Sequence, residues 1–300
     1  MTEVLLVFSL ALSAFILGVA LFCLVTFGWL ARFAPVRTLA ESIREWVREV
    51  AVVLLTHPLL PLYYLFGRGA SSPGQGTPVI LVHGYFQNRV DFLYLRRALR
   101  RSGLRSVFAI NYPWWDSIEE NSLRLGRFVE SAMREAGATS VALVGHSMGG
   151  LVALDYVVNR EGALHVACCV TLGTPHEGVL FRGPLFGKAG RDLRAKSRYL
   201  TERTQATVPV PCLSIASEHD NIVFPAARAS LSRRGGADAL VKDRAHLGIL
   251  FDSNVAELVV GFLKAHPGGL SAPNPKTALP EPSNEQGPAP QGESPHMAPR

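Results

Sequence analysis

Val141-Ala142-Leu143-Val144-Gly145-His146-Ser147-Met148-Gly149-Gly150-Leu151 decides how this chain folds. Its first four residues are apolar and β-prone, as a short buried strand is. From Leu151 to Val158 apolar residues recur at helical spacing, and the run ends near Asn159-Arg160-Glu161-Gly162. Between strand and helix stands a Gly-x-Ser-x-Gly pattern. Glycines there leave room for a strained turn that lifts a serine oxygen clear of the sheet. The amide after the serine and the helix N-terminus then face a developing negative charge. Ser147 is therefore a candidate nucleophile; the plainer alternative is a solvent-facing serine in a Gly-rich turn.

Outward from this turn the chain alternates between strands and helices. Strands are predicted at Val79 to Val82, Ser106 to Tyr112, Ser140 to Gly145, His165 to Gly173, Cys212 to Ser217 and Ala239 to Lys242. Helices are predicted at Asp91 to Arg101, Ser117 to Glu135 and, closing the domain, Ser253 to Ala265. Such βαβ alternation implies an α/β fold, a mostly parallel sheet with helices on both faces. Ligands on these sheets bind beyond the carboxyl ends of the strands.

A serine hydroxyl is a poor nucleophile until a base takes its proton, so a histidine and an acid are expected further along the chain. The order in this kind of fold is serine, acid, histidine. Asp220 follows the strand Cys212 to Ser217, and His246 lies between the last strand and the closing helix. Glu218 is the competing acid; the alternative for His246 is a helix-capping or surface histidine. His83-Gly84-Tyr85 ends the first strand of the alternation. An amide just after that glycine, that of Tyr85, can join the amide of Met148 as the second donor to an oxyanion. His83 and Gly84 would then support that loop, and His146 would pack beside the nucleophile.

These residues, with Gly173-Thr174-Pro175-His176, resemble the bacterial lipase and esterase branch of the α/β-hydrolase superfamily. The resemblance covers about residues 77 to 265. It implies an α/β-hydrolase fold with Ser147 as nucleophile, His246 as general acid and base, Asp220 as orienting acid, and the amides of Tyr85 and Met148 as the oxyanion hole. The chain departs from larger secreted lipases in having no obvious calcium-site carboxylate pair and only residues 178 to 209 as a lid. That insertion is basic, reads as helical, and opens with Leu180, Phe181, Leu185 and Phe186. It is expected to cover the pocket, the alternative being a packed surface excursion.

The flanks read differently. Val4 to Ala31 contains no charged residue, more than the roughly 20 apolar residues needed to cross a bilayer. A cleaved signal peptide fits less well, because Met1-Thr2-Glu3 has no Lys or Arg and no Ala-x-Ala site follows closely. Residues 1 to 31 are thus expected to be a transmembrane anchor. Residues 32 to 76 form a juxtamembrane linker, 77 to 266 the catalytic domain, and 267 to 300 a disordered tail. Nine of the twenty prolines fall in that tail, which has too little apolar surface to offset its ordering entropy. Within the linker, residues 50 to 67 form a second uncharged stretch, read as lying at the membrane interface or packing on the domain. Arg32, Arg37, Arg44 and Arg48 point to a cytoplasmic linker and a single-pass protein of the bacterial inner membrane. If residues 50 to 67 span instead, the domain moves to the opposite face.

The net charge of +6 is mostly arginine scattered over helix faces, without a clustered base-reading motif, so a nucleic-acid partner is not expected. The four cysteines do not form a disulfide framework, no metal-ligand spacing occurs among Cys and His, and no cofactor is implied. The expected function is a membrane-anchored serine hydrolase that cleaves carboxylic esters, its partners a lipid-like ester and the membrane. A thioesterase or acyltransferase with the same triad, and a non-catalytic scaffold of the same fold, are the alternatives.

Overall fold

Six parallel strands form one sheet in the order β2-β1-β3-β4-β5-β6. They are β1 (Val79–Val82), β2 (Val107–Ala109), β3 (Val141–His146), β4 (Val166–Leu172), β5 (Cys212–Ser217) and β6 (Ala237–Val241). The computed structural model describes residues 2–33, 38–57, 76–181 and 183–268. The expected tail lies outside these residues apart from its first two, as do residues 58–67 of the second apolar stretch.

Alternation along each strand sends side chains into two separate layers. Ile80, Val82, Leu143 and Cys169 pack on one face against α4 (Ile118–Ala136) and α5 (Met148–Asn159). Val79, Leu81, Val144 and Cys168 pack on the other against α3 (Leu93–Arg101) and α8 (Ser253–Ala265). The adjacent cysteines of β4 therefore face opposite layers, and all four cysteines are buried and free. The helices start where side chains satisfy their first amides. Ser117 and Glu120 form a capping box at α4, which stops at Gly137 with φ of 59°, and Asp252 caps α8. β3 and β4 differ from the sequence expectation by one residue at each end, and two strands differ by more. β2 is only three residues long, ending at Ala109 although the Ile110 amide still donates to Leu81 O at 3.1 Å, and β6 begins at Ala237.

Among the described residues two α-helices precede the sheet. α1 (Thr2–Leu30) is the one helix among the described residues long and apolar enough to cross a membrane, a candidate span over Ser9–Leu30. It exposes Leu10, Leu17, Leu21 and Leu24, while Cys23, Thr26 and Leu30 are buried against the rest of the protein. α2 (Leu39–Thr56) lies within the stretch read as a linker and opens with a Thr38/Glu41 capping box. It is inside out: Leu39, Ile43, Val47 and Leu55 are exposed, whereas Glu45 and Glu49 are buried against the protein. Trp46 Nε1 donates to Ala20 O, tying the two helices together.

Candidate active site

Ser147 is held at φ 53°, ψ −125°, a conformation most side chains avoid. Its surroundings enforce it. The Ser147 amide donates to Leu172 O at 2.8 Å, which turns the chain sharply out of β3 and into α5. A Cβ at Gly145 would stand 2.6 Å from Gly149 O, and one at Gly149 would overlap the carbonyls of Val82 and His83. Only glycine lets the first strand and the turn approach so closely.

The structure brings Ser147, Asp220 and His246 together beyond the carboxyl ends of β3, β5 and β6. His246 Nε2 lies 2.9 Å from Ser147 Oγ, and its Nδ1 lies 2.8 Å from Asp220 Oδ2. Asp220 Oδ1 accepts the amides of Ile222 and Val223 at 2.8 Å each, which fixes the carboxylate in its turn. A Cβ at Gly173, which has φ of 52°, would stand 2.9 Å from Asp220 Oδ2, so the end of β4 also shapes this acid's place. Glu218 makes no such approach; its amide pairs with Val241 O and its side chain is half-buried. All three clustered residues are buried. Burial disfavours the imidazolium of His246, but the charge and hydrogen bond of Asp220, with the charge of Glu49, outweigh it and raise the pKa.

The loop after β1 lies against Ser147, since a Cβ at Gly84 would meet Ser147 Cβ at 2.9 Å. His83 is buried within it, its ring stacked on Tyr112 at 4.1 Å. The Tyr112 amide donates to His83 Nε2 at 3.2 Å, leaving Nδ1 as donor to Gly84 O at 3.0 Å. Burial lowers its pKa to about 4, so the ring is neutral and fixed in one tautomer. Gln87 Oε1 accepts the Gly84 amide at 2.7 Å and contacts His146 Nδ1 at 2.8 Å. The other His146 nitrogen lies 3.0 Å from His246 O, so His146 joins the Ser147 turn to the histidine loop. His176 is tied to Thr171 and Ser214 within the core.

A cavity of about 510 Å³ opens above Ser147 and His246, within the range of small-molecule sites. Phe181, Leu185 and Phe186 of the insertion line it, as do Phe15, Gly18 and Phe22 of α1. The insertion has two short helices, α6 (Gly187–Asp192) and α7 (Arg198–Arg203). It is pinned by several contacts: among them, Tyr85 Oη donates to Phe186 O, Asp192 accepts the Ile118 amide, and Arg203 pairs with Asp155 at 2.8 Å. Among the described residues no group of three or more His, Cys, Asp or Glu could hold a metal ion.

Four polar residues at this site escape sequence reading. Gln87 is the polar residue of an aromatic loop, and Asn221 directly follows the acid. Asn221 Oδ1 accepts the His246 amide at 3.0 Å, and its Nδ2 donates to Thr26 Oγ1 of α1 at 2.8 Å. Glu49 of α2 accepts the amides of Leu247 and Gly248. Thr26 and Glu49 give little local signal, because only tertiary docking carries the two helices to the histidine loop.

Known proteins share parts of this arrangement. Two triacylglycerol lipases, from Pseudarthrobacter phenanthrenivorans and Burkholderia plantarii, are each 38% identical to this chain over 112 residues. The match takes in 35% of this chain and only 34% and 31% of theirs, about a third of each relative's length. Bacillus licheniformis lipase BlEst2 in its mature form superposes with a TM-score of 0.57 at 15% identity, covering 67% of this chain and 98% of that one. Paleococcus ferrophilus monoacylglycerol lipase superposes at 0.52 and 18% identity, covering 66% and 98%. At such identities the likeness is one of fold. A sequence profile of the alpha/beta hydrolase family matches residues 79–247, from the first strand to just past the clustered histidine, and the chain belongs to that family.

Proposed function

We propose that this protein is a membrane-anchored carboxylic ester hydrolase, lipase- or esterase-like, working through Ser147, His246 and Asp220. The observation that carries the reading is the 2.9 Å approach of Ser147 Oγ to His246 Nε2 at the floor of an apolar cavity. His246 takes the proton as Ser147 Oγ attacks the ester carbonyl carbon, and Asp220 holds the ring in the tautomer that can accept it. The tetrahedral oxyanion faces the amides of Met148 and Tyr85. The Gly84 amide is engaged by Gln87, so the donor from this loop falls to Tyr85. Collapse breaks the ester C–O bond, and His246 passes its proton to the departing alcohol. Water, deprotonated by His246, then attacks the acyl-enzyme and releases the acid.

Substrate class follows from the cavity walls. Phenylalanine and leucine side chains from the insertion and from α1 suit an acyl chain better than a sugar or a peptide. The triacylglycerol lipases among the relatives support the same reading. The apolar outer faces of α1 and α2 suit a lipid environment around the cavity mouth, with α1 as the anchor, residues 77 to 266 as the catalytic domain and 178 to 209 as its cover.

A fluorophosphonate probe tests the chemistry. The wild-type protein labels, and Ser147→Ala does not; labelling that persists in the variant refutes the assignment. Rates on p-nitrophenyl esters of increasing acyl length, in detergent, test the substrate class, with longer acyl chains expected to be preferred.

A further inference from the structure

Glu49 stands outside the residues that the family profile matches, yet it lies beside the catalytic loop. Its Oε1 accepts the Leu247 amide at 2.9 Å and its Oε2 accepts the Gly248 amide at 2.9 Å. These are the two amides directly after His246. The carboxylate is buried, and it lines the same cavity as Ser147 and His246. On the other side of the histidine, its own amide is held by Asn221, which donates to Thr26 of α1. The histidine loop is thus held by one polar side chain from each N-terminal helix.

A carboxylate in such a place is costly. Burial raises the Glu49 pKa to about 7, against the Leu247 and Gly248 amides and the charge of His246, while the charge of Asp220 raises it further. α2 also exposes apolar side chains on its outer face while burying this acid, so its amphipathicity is arranged to carry Glu49 inward.

We propose that the α1–α2 pair is part of the catalytic centre, with Glu49 as a positioning residue that fixes the His246 loop and adds a negative charge near the imidazolium. This rests on the proposed roles of Ser147 and His246. Two parallel N–H···O bonds fix the backbone directly after the histidine, and a displacement of about 1 Å there is enough to cost roughly 100-fold in rate. The groups facing His246 are Asp220 and Glu49, with the neutral His146 ring at 4.8 Å; Cys23 of α1 lines the same cavity and interacts with Glu49. Removing the Glu49 charge leaves Asp220 alone to favour the imidazolium, so the pKa of His246 falls.

The test is Glu49→Gln in the full chain, in detergent micelles, on a soluble p-nitrophenyl ester. The expected result is a kcat lower by about 10- to 100-fold with KM nearly unchanged, and an acid limb of the kcat/KM profile shifted to lower pH. A kcat within about threefold of wild type with an unmoved acid limb overturns the proposal. Glu49→Ala with added formate is the second arm: partial recovery supports positioning by a carboxylate, and a folded, inactive protein that formate does not rescue overturns it. A variant that cannot fold at all also overturns it, in favour of a purely structural carboxylate. Ser147→Ala separates the two levels. If that variant keeps full turnover, the triad itself is wrong; if it is inactive while Glu49→Gln behaves as wild type, only this inference fails.

Discussion

Asp220→Asn isolates the orienting role proposed for Asp220 while sparing the local fold. Asp220 Oδ1 accepts two backbone amides, from Ile222 and Val223, and an asparagine Oδ1 accepts them equally well. The change falls on Oδ2, which lies 2.8 Å from His246 Nδ1. An amide NH₂ there is a donor, so the ring keeps its proton on Nε2, pointing at Ser147 Oγ across 2.9 Å. A base already protonated toward its nucleophile cannot activate it. The same substitution in a serine–histidine–aspartate triad lowers kcat about 10⁴-fold, which corresponds to about 5.4 kcal/mol of barrier. Loss of the carboxylate charge also lowers the His246 pKa, so residual activity should keep its acid limb at lower pH than the wild type. Initial rates on p-nitrophenyl butyrate between pH 5 and 9 measure both effects, and thermal unfolding checks that the fold survives. Retention of more than about a tenth of the wild-type kcat refutes the assignment. So does a comparable loss from Glu218→Gln with Asp220→Asn left active.

Three further outcomes follow from other parts of the structure. Gly18 faces the cavity with nothing within 4 Å of an added Cβ, so Gly18→Leu should fill space without displacing neighbours. Hydrolysis of a C12 ester is expected to fall about tenfold relative to a C4 ester, roughly what lost apolar burial of 1–2 kcal/mol gives; equal loss on both esters refutes the wall assignment. Leu143 is fully buried in β3, and Leu143→Ala should lower stability by about 2–5 kcal/mol in chemical denaturation, with a smaller change contradicting its place in the core. The Glu49 pKa is raised from 4.5 to about 7 on folding, so its contribution to stability is present below 4.5 and lost as pH rises through 7. The unfolding midpoint of wild type relative to Glu49→Gln should therefore fall across that window, and a constant difference would contradict the raised value.

What was legible in the sequence was local. The Gly-x-Ser-x-Gly turn, the strand ends carrying Asp220 and His246, and the alternation of elements all depend on neighbours within a few residues. The parallel sheet and its two helical layers follow from that periodicity. A capping box, Thr38 and Glu41 three residues apart, opens α2, but its interleaved charges and apolar residues read as a juxtamembrane linker. Its inside-out face defeats amphipathic reasoning, which assumes that leucines point inward and glutamates toward water. Glu49 and Thr26 lay beyond reach for a related cause: each meets its partner nearly two hundred residues away in sequence. Gln87 is closer at hand, but its value lies in bridging Gly84 and His146, which only the packed turn brings side by side.

The cavity wall supplied by α1 has a consequence under the proposed membrane anchoring. A helix that spans a bilayer adjusts its tilt to the thickness of the hydrocarbon, at a cost of fractions of a kcal/mol per ångström. Phe15, Gly18 and Phe22 of α1 line the cavity, and Thr26 on the same helix reaches the histidine loop through Asn221. Any tilt would thus be felt as a change in pocket width and in loop position together. Under the proposed anchoring, lipid composition would be an input to the proposed turnover: thin and thick bilayers would select different acyl chains in the same protein, with no change of sequence.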